Sequence, residues 1–226
     1  MREAQDKLLQ KILAKAGSPA YGAYRGVASS FTLEHTGPQV LLITSSIRGE
    51  GKTATALNLA FHLAKSGKKV LLVDANVFSP RLTEILGLQS SAGLVDAVTD
   101  ATPVLQAINA LPDLSLDAMG SGAVANVEPL KVFCSETFKG LLKDAKAIYD
   151  LVILDAPAVA VSMDSLHLSD ETDKIIYVVA PEMLTKRQLL WAKAELERFW
   201  KKELRLLLNR HSEPIPRFLS KLVWGG

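Results

Sequence analysis

Val40-Leu-Leu-Ile-Thr-Ser-Ser-Ile-Arg-Gly-Glu-Gly-Lys-Thr53 is an apolar, β-branched run that breaks into a glycine-containing loop ending Gly51-Lys52-Thr53. A helical pattern follows at once, with Ala56, Ala60, Leu63 and Ala64 on one face and Gly67 as its stop. Strand, loop and helix in that order are what a nucleotide phosphate site requires. Backbone N–H groups of Gly49, Glu50 and Gly51, with the positive end of the helix, are expected to face phosphate oxygens. Lys52 is expected to reach the β- and γ-phosphates, and the Thr53 hydroxyl to hold Mg²⁺. ATP and Mg²⁺ are therefore the expected cofactors. The ordinary pattern G-x-x-x-x-G-K-[ST] wants glycine at position 46, where this chain has Ser46.

Two further apolar runs end in an aspartate, Lys69-Val-Leu-Leu-Val-Asp74 and Asp150-Leu-Val-Ile-Leu-Asp155-Ala-Pro157. Both have the composition of buried parallel strands. In a parallel sheet, carboxylates at the strand C-termini share an edge with the loop, which is where ligands bind. Asp155 is then a Mg²⁺ ligand, direct or through water, and Asp74 a catalytic carboxylate that orients or deprotonates the attacking group. Taken singly, a strand-end aspartate is more often a helix cap or turn former; two beside such a loop favour the site.

Here the chain resembles the bacterial tyrosine kinases, the ATPase domains that work with polysaccharide co-polymerases in capsule and exopolysaccharide export. That family sits within the deviant-Walker P-loop group, which includes the septum-site and plasmid-partition ATPases. The resemblance rests on Gly49-Glu50-Gly51-Lys52-Thr53, Asp74 one helix later, and the late Asp155-Ala156-Pro157 strand. Smaller echoes are Gly93-Leu94, Gly120 and Asn209-Arg210. The resemblance implies that Asn209 helps to read the adenine. It implies a membrane-embedded chain-length protein as partner, possible self-association, and a cytoplasmic place at the inner membrane.

The departures are specific. The family's Asp-x-Asp-x-Arg is Asp74-Ala75-Asn76-Val77-Phe78 here, so Asn76 keeps a metal-ligand oxygen without the charge and Phe78 removes a cation. Of the Glu-x-x-Arg-x-x-Arg tied to ring assembly only Arg25 remains, and Ile47 stands where partition ATPases carry a signature lysine. The four tyrosines are Tyr21, Tyr24, Tyr149 and Tyr177, so the C-terminal tyrosine cluster that these kinases phosphorylate has no counterpart. Three other readings stay open: a membrane-cycling ATPase of the septum-site or partition type, an active kinase that phosphorylates another protein's tyrosines, and a nucleotide switch without turnover.

Composition agrees with one α/β domain. A chain of 226 residues with 48% hydrophobic content supports a doubly wound, mostly parallel sheet with helices on both faces. No apolar run approaches the ~18–20 residues of a membrane span, and Met1-Arg-Glu-Ala-Gln5 lacks a signal-peptide core. The single Cys134 excludes an internal disulfide and suits the cytoplasm, and the four histidines show no ligand spacing. A net charge of +2 without a basic-aromatic patch gives no reason to expect nucleic acid.

Along the chain, residues 1–36 read as a helical extension, with helices over 2–15 and 21–33; residues 37–210 read as the P-loop ATPase domain. Strands are expected near 40–45, 69–74, 114–118, 151–155, 174–180 and 204–208. A helix over 186–202 has Leu189, Ala192, Leu196 and Phe199 at core spacing, with Trp191 and Trp200 off that stripe. Residues 211–226 form a basic-apolar tail. As a helix it would gather Phe218, Leu219, Leu222 and Val223 beside Arg217 and Lys221, which suits an anionic membrane surface.

Overall fold

The computed structural model describes residues 2–34, 37–100, 102–125, 127–162, 164–199 and 203–210. The expected tail helix, Trp200, His35 and His211 lie outside the described residues. In chain order the elements are α1 (Arg2–Ile12), α2 (Pro19–Glu34), β1 (Gln39–Ser45), α3 (Lys52–Lys65), β2 (Val70–Asp74), α4 (Arg81–Leu86), α5 (Leu94–Thr99) and α6 (Val104–Ala107). They continue with β3 (Asn109–Leu111), β4 (Leu116–Met119), α7 (Pro129–Phe133), α8 (Glu136–Ile148), β5 (Leu151–Asp155), α9 (Asp164–Asp170), β6 (Lys174–Val179), α10 (Lys186–Phe199) and β7 (Glu203–Leu208).

The seven strands make one sheet in the order β3-β4-β2-β5-β1-β6-β7, parallel throughout except for the β3–β4 pair. Strands β1, β2, β5 and β6 are continuous apolar runs because both of their faces are covered. Alternate side chains of one strand enter different cores. Val40, Leu42, Leu71, Val73, Val152 and Leu154 join Leu94, Phe133, Phe138 and Leu141 from α5, α7 and α8. Leu41, Ile43, Leu72 and Ile153 join Phe31, Leu57, Leu63, Leu82 and Ile85 from α2, α3 and α4. Each such side chain, fully buried, contributes roughly 1.5–3 kcal/mol, so the sheet edge carrying the loop is held by packing on both sides.

The structure corrects several element boundaries. The first helix stops at Ile12 rather than residue 15, because Asn58 of α3 intervenes. Its Oδ1 accepts from Ala14 N at 2.7 Å and its Nδ2 donates to Ile12 O at 3.0 Å, replacing helical bonds with tertiary ones. Helix α2 starts at Pro19, two residues early, since Ser18 Oγ accepts from Tyr21 N at 3.2 Å and proline suits the first helical position. The strand expected over 114–118 lies at 116–119: Pro112–Leu114 form a single 3₁₀ turn and Ser115 takes φ 56° before β4. The antiparallel edge strand β3 has no counterpart in the sequence reading; three residues show no periodicity. Helix α10 is described to Phe199; Leu189 packs against the first core, and the side chains of Ala192, Leu196 and Phe199 lie outside the described set. Trp191 is 45% exposed. No described helix is long and apolar enough to cross a membrane.

Candidate functional site

The loop between β1 and α3 is built by two glycines in left-handed conformations, Gly49 at φ 91° and Gly51 at φ 95°. A side chain at Gly51 would also collide with the amide of Asn209, so glycine is required there twice over. Position 46 carries no such demand. Ser46 is absent from the positive-φ set, and its hydroxyl pairs with the Tyr177 phenol at 2.7 Å, tying the loop to β6. Burial pushes the Tyr177 phenol up to about 12, so it stays a neutral hydroxyl partner. The Ser46 departure therefore exchanges a glycine for a cross-strand brace.

Glu50 is fully buried and acts as a staple. Its Oε2 accepts from Ile47 N at 2.7 Å across the loop, and its Oε1 from Ala180 N at 3.1 Å beyond β6. Asn209 N donates to Val179 O at 2.8 Å and its side-chain nitrogen to Glu50 O at 2.7 Å. The loop is thus held in shape by β6 and by the residue after β7 before any ligand arrives.

Lys52 and Thr53 open α3. Lys52 is only 8% exposed; burial lowers its pKa, which Asp155 and Glu50 counter by favouring the charge. At the ends of the neighbouring strands, Asp74 and Asp155 are register partners. Both are buried, and both have raised pKa values. For Asp155 the cause is desolvation, countered by Lys52 and Thr53. For Asp74 it is desolvation, reinforced by Asp155. Their oxygens fare differently. Asp74 Oδ2 accepts from both Thr83 N and Thr83 Oγ1 at 2.7 Å, and Oδ1 from Asn76 N at 3.2 Å. Neither Asp155 oxygen has a donor in hydrogen-bonding geometry; Thr53, close enough to lower the pKa, falls short of completing a bond. A buried carboxylate left this way is costly unless a cation completes it.

Above these groups lies a cavity of about 360 Å³. Gly49, Gly51, Lys52, Thr53 and Asn76 line it, together with Arg48, Ser79, Arg81, Pro157 and Arg210. Asn209 does not; it lines a larger groove, about 680 Å³, between α2 and β7, and Arg210 borders both. The larger groove is mostly apolar and includes neither Lys52 nor the aspartates, but it adjoins the loop through Asn209 and Arg210. Sequence reading brought Gly49, Lys52, Thr53, Asn76, Asp74 and Asp155 together; the first four line the cavity, while Asp74 and Asp155 are buried and not part of its lining. It missed Arg48, Arg81, Arg210, Thr83 and Tyr177, and took Glu50 for a loop contact; only the Asn209-Arg210 echo was a signal. Phe78 is 52% exposed and lines no part of the cavity.

Among the described residues no group of three or more His, Cys, Asp or Glu could hold a metal by itself. One carboxylate and one hydroxyl suit Mg²⁺, which takes few protein ligands and completes its shell with phosphates and water. The orphaned Asp155 oxygens fit such an ion.

A mostly parallel sheet with this loop at the end of the interior strand β1, beside β5, defines a P-loop ATPase fold. Residues 39–189 match the AAA_31 family, an AAA domain. The tyrosine-protein kinase YwqD of Bacillus subtilis is 33% identical over 178 residues, 76% of this chain and 75% of that one. The chain belongs to the bacterial tyrosine-protein kinase family of AAA domains. The succinoglycan biosynthesis transport protein ExoP of Rhizobium meliloti is 28% identical over 143 residues, 62% of this chain and 18% of that protein. Among solved structures, the chimerical protein CapA2B2 superimposes with a TM-score of 0.81 at 28% identity, covering 88% of each chain. The septum-site-determining protein MinD of Pyrococcus horikoshii, solved with Mg-ADP, gives 0.64 at 25% identity, covering 82% of this chain and 77% of that one.

Proposed function

We propose that this chain is the ATP-binding component of an envelope-polysaccharide biosynthesis and export system, acting at the cytoplasmic face of the inner membrane with a membrane-embedded chain-length protein. The observation that carries the nucleotide reading is the pair of orphaned Asp155 oxygens beside Lys52 and Thr53. Mg-ATP, when bound, would supply a transferable phosphoryl group, its Mg²⁺ offsetting part of the triphosphate's charge. Lys52 binds the phosphates, Thr53 and Asp155 hold the metal, and Asn76 offers a neutral oxygen nearby. The Gly49–Gly51 amides cradle the phosphates, while Glu50 fixes their direction from beneath. With its nitrogen committed to Glu50, Asn209 meets the adenine through its amide oxygen. Asp74 acts on the attacking group through Oδ1, the less firmly held of its oxygens.

A second reading, a nucleotide switch without turnover, is favoured by one observation: Asp74 already spends both oxygens on Thr83 and Asn76. Calorimetry separates binding from turnover. Lys52→Ala removes a charged hydrogen bond of roughly 1.5–3 kcal/mol and should weaken Mg-ATP by ~10–150-fold. Equal affinity in wild type and variant would sink the site assignment. Phosphate release then decides between ATPase and switch.

A further inference from the structure

We infer that Arg81 is a specificity residue of the nucleotide site, exchanging Glu84 for the terminal phosphate and so distinguishing a nucleoside triphosphate from a diphosphate. This rests on the nucleotide reading above. The cavity beside Lys52 is lined by three arginines, Arg48, Arg81 and Arg210, and by no carboxylate. That is more positive charge than a loop lysine alone supplies, and it suits an anion in the cavity.

The arginines differ in place. Arg210 follows Asn209 on the β7 side of the sheet and bonds Met183 Sδ at 3.3 Å. Arg48 belongs to the loop itself. Arg81 follows β2, on the far side of β5 from the loop. The lysine and metal of a P-loop site engage the β- and γ-phosphates. With the base on the Asn209 side, a phosphate chain passing Thr53 would extend toward β2. The groups that line the cavity there are Asn76, Ser79 and Arg81. They would face the last phosphate, which a diphosphate lacks.

The backbone of Arg81 is fixed and its side chain is not. Leu82 and Ile85 are buried, and Thr83 binds Asp74 Oδ2 through both its N–H and its hydroxyl, so the start of α4 is anchored to the end of β2. The guanidinium itself is half exposed and pairs with Glu84 at 2.5 Å, three residues along the helix. An exposed pair of this kind contributes little. A phosphate group offers more charge and two oxygens in the fork geometry that arginine matches. Glu84 is thus a weak stand-in anion that a terminal phosphate displaces.

The test is calorimetric titration of wild type, Lys52→Ala, Arg81→Ala, Arg81→Lys and Glu84→Gln with Mg-ADP and with a non-hydrolysable Mg-ATP analogue. Arg81→Ala should weaken the triphosphate analogue by ~10-fold or more, as expected for a charged hydrogen bond, and leave Mg-ADP within about twofold. Arg81→Lys should recover only part of the loss. Glu84→Gln should tighten the triphosphate alone. An unchanged triphosphate-to-diphosphate ratio in Arg81→Ala, or no effect of Glu84→Gln, overturns the proposal while leaving the site intact. If wild type bound neither nucleotide, or Lys52→Ala bound both as wild type does, the nucleotide reading itself would fall.

Discussion

Asp74 and Asp155 lie side by side at the carboxyl ends of β2 and β5, as register partners, yet the first has all its oxygens engaged by protein donors and the second has none engaged. One aspartate braces α4 and the other keeps both oxygens open. The difference comes from what each strand leads into. After β2 the chain returns Thr83 over the strand end, while after β5 the amides of Ala156, Val159 and Ala160 go to Ile43, Ser45 and Ser46 of β1 and its loop instead.

Burial raises the Asp155 carboxyl to about 6 and the Asp74 carboxyl to about 7, Asp74 also feeling the Asp155 charge. The pair therefore holds protons near neutrality that an unfolded chain would have released. Mg²⁺ needs the carboxylate, so Mg-ATP affinity should fall as pH drops from 8 to 6, with protons released on binding. Calorimetry in buffers of different ionisation enthalpy measures both. Linkage gives the apo-protein the opposite trend: a raised carboxyl stabilises below its unfolded pKa, and that contribution is lost as pH rises through 6–7. Asp155→Asn should abolish Mg²⁺-dependent affinity and remove this pH dependence. A pH-independent affinity would count against Asp155 as the metal ligand.

Thr83 supplies two of the three bonds to Asp74, and its hydroxyl oxygen accepts from Ser121 N at 2.9 Å. Thr83→Val keeps the shape and removes the hydroxyl, leaving a buried carboxylate oxygen short of a donor. Urea denaturation should show a loss of about 1–3 kcal/mol, with Thr83→Ser recovering most of it. Wild-type stability in Thr83→Val would mean that Asp74 does not depend on this brace.

Tyrosine autophosphorylation should be weak. Tyr149 and Tyr177 are buried and hydrogen-bonded, to Asp117 and Ser46. Tyr24 is partly buried beside Thr55 and Tyr21 packs edge-on against His62 at 4.5 Å. Incubation with Mg-ATP should leave little phosphotyrosine detectable by mass spectrometry. A strong signal on Tyr21 or Tyr24 would overturn this and make α2 a substrate.

The tail at 211–226 is proposed to bring the protein to the inner membrane, directly or through its partner. Partial insertion of four or five apolar side chains gives reversible binding that anionic lipid strengthens. Phe218→Glu with Leu222→Glu should move the protein from vesicles of mixed anionic lipid to the supernatant while the thermal midpoint holds. Retained vesicle binding with a lowered midpoint would place the tail in the domain's own packing instead.

The sequence alone determined the strand-loop-helix, the Asp-ended strands and the alternation that makes a parallel sheet, because each depends on neighbours a few residues apart. Apolar runs bury themselves, and glycine goes where φ must be positive. It also flagged Ser46, Asn76 and Phe78 as departures. What it could not assign were the partners. Ser46 meets Tyr177 131 residues on, Glu50 meets Ala180 after 130, and Asn209 meets Glu50 after 159. Asn58 ends α1 from a distance of 46 residues. Which aspartate keeps open oxygens, which glutamate is structural and which arginine faces the cavity are decided by such pairings. Polar side chains take whichever donors the packed sheet and helices present to them, and local pattern carries no record of that choice.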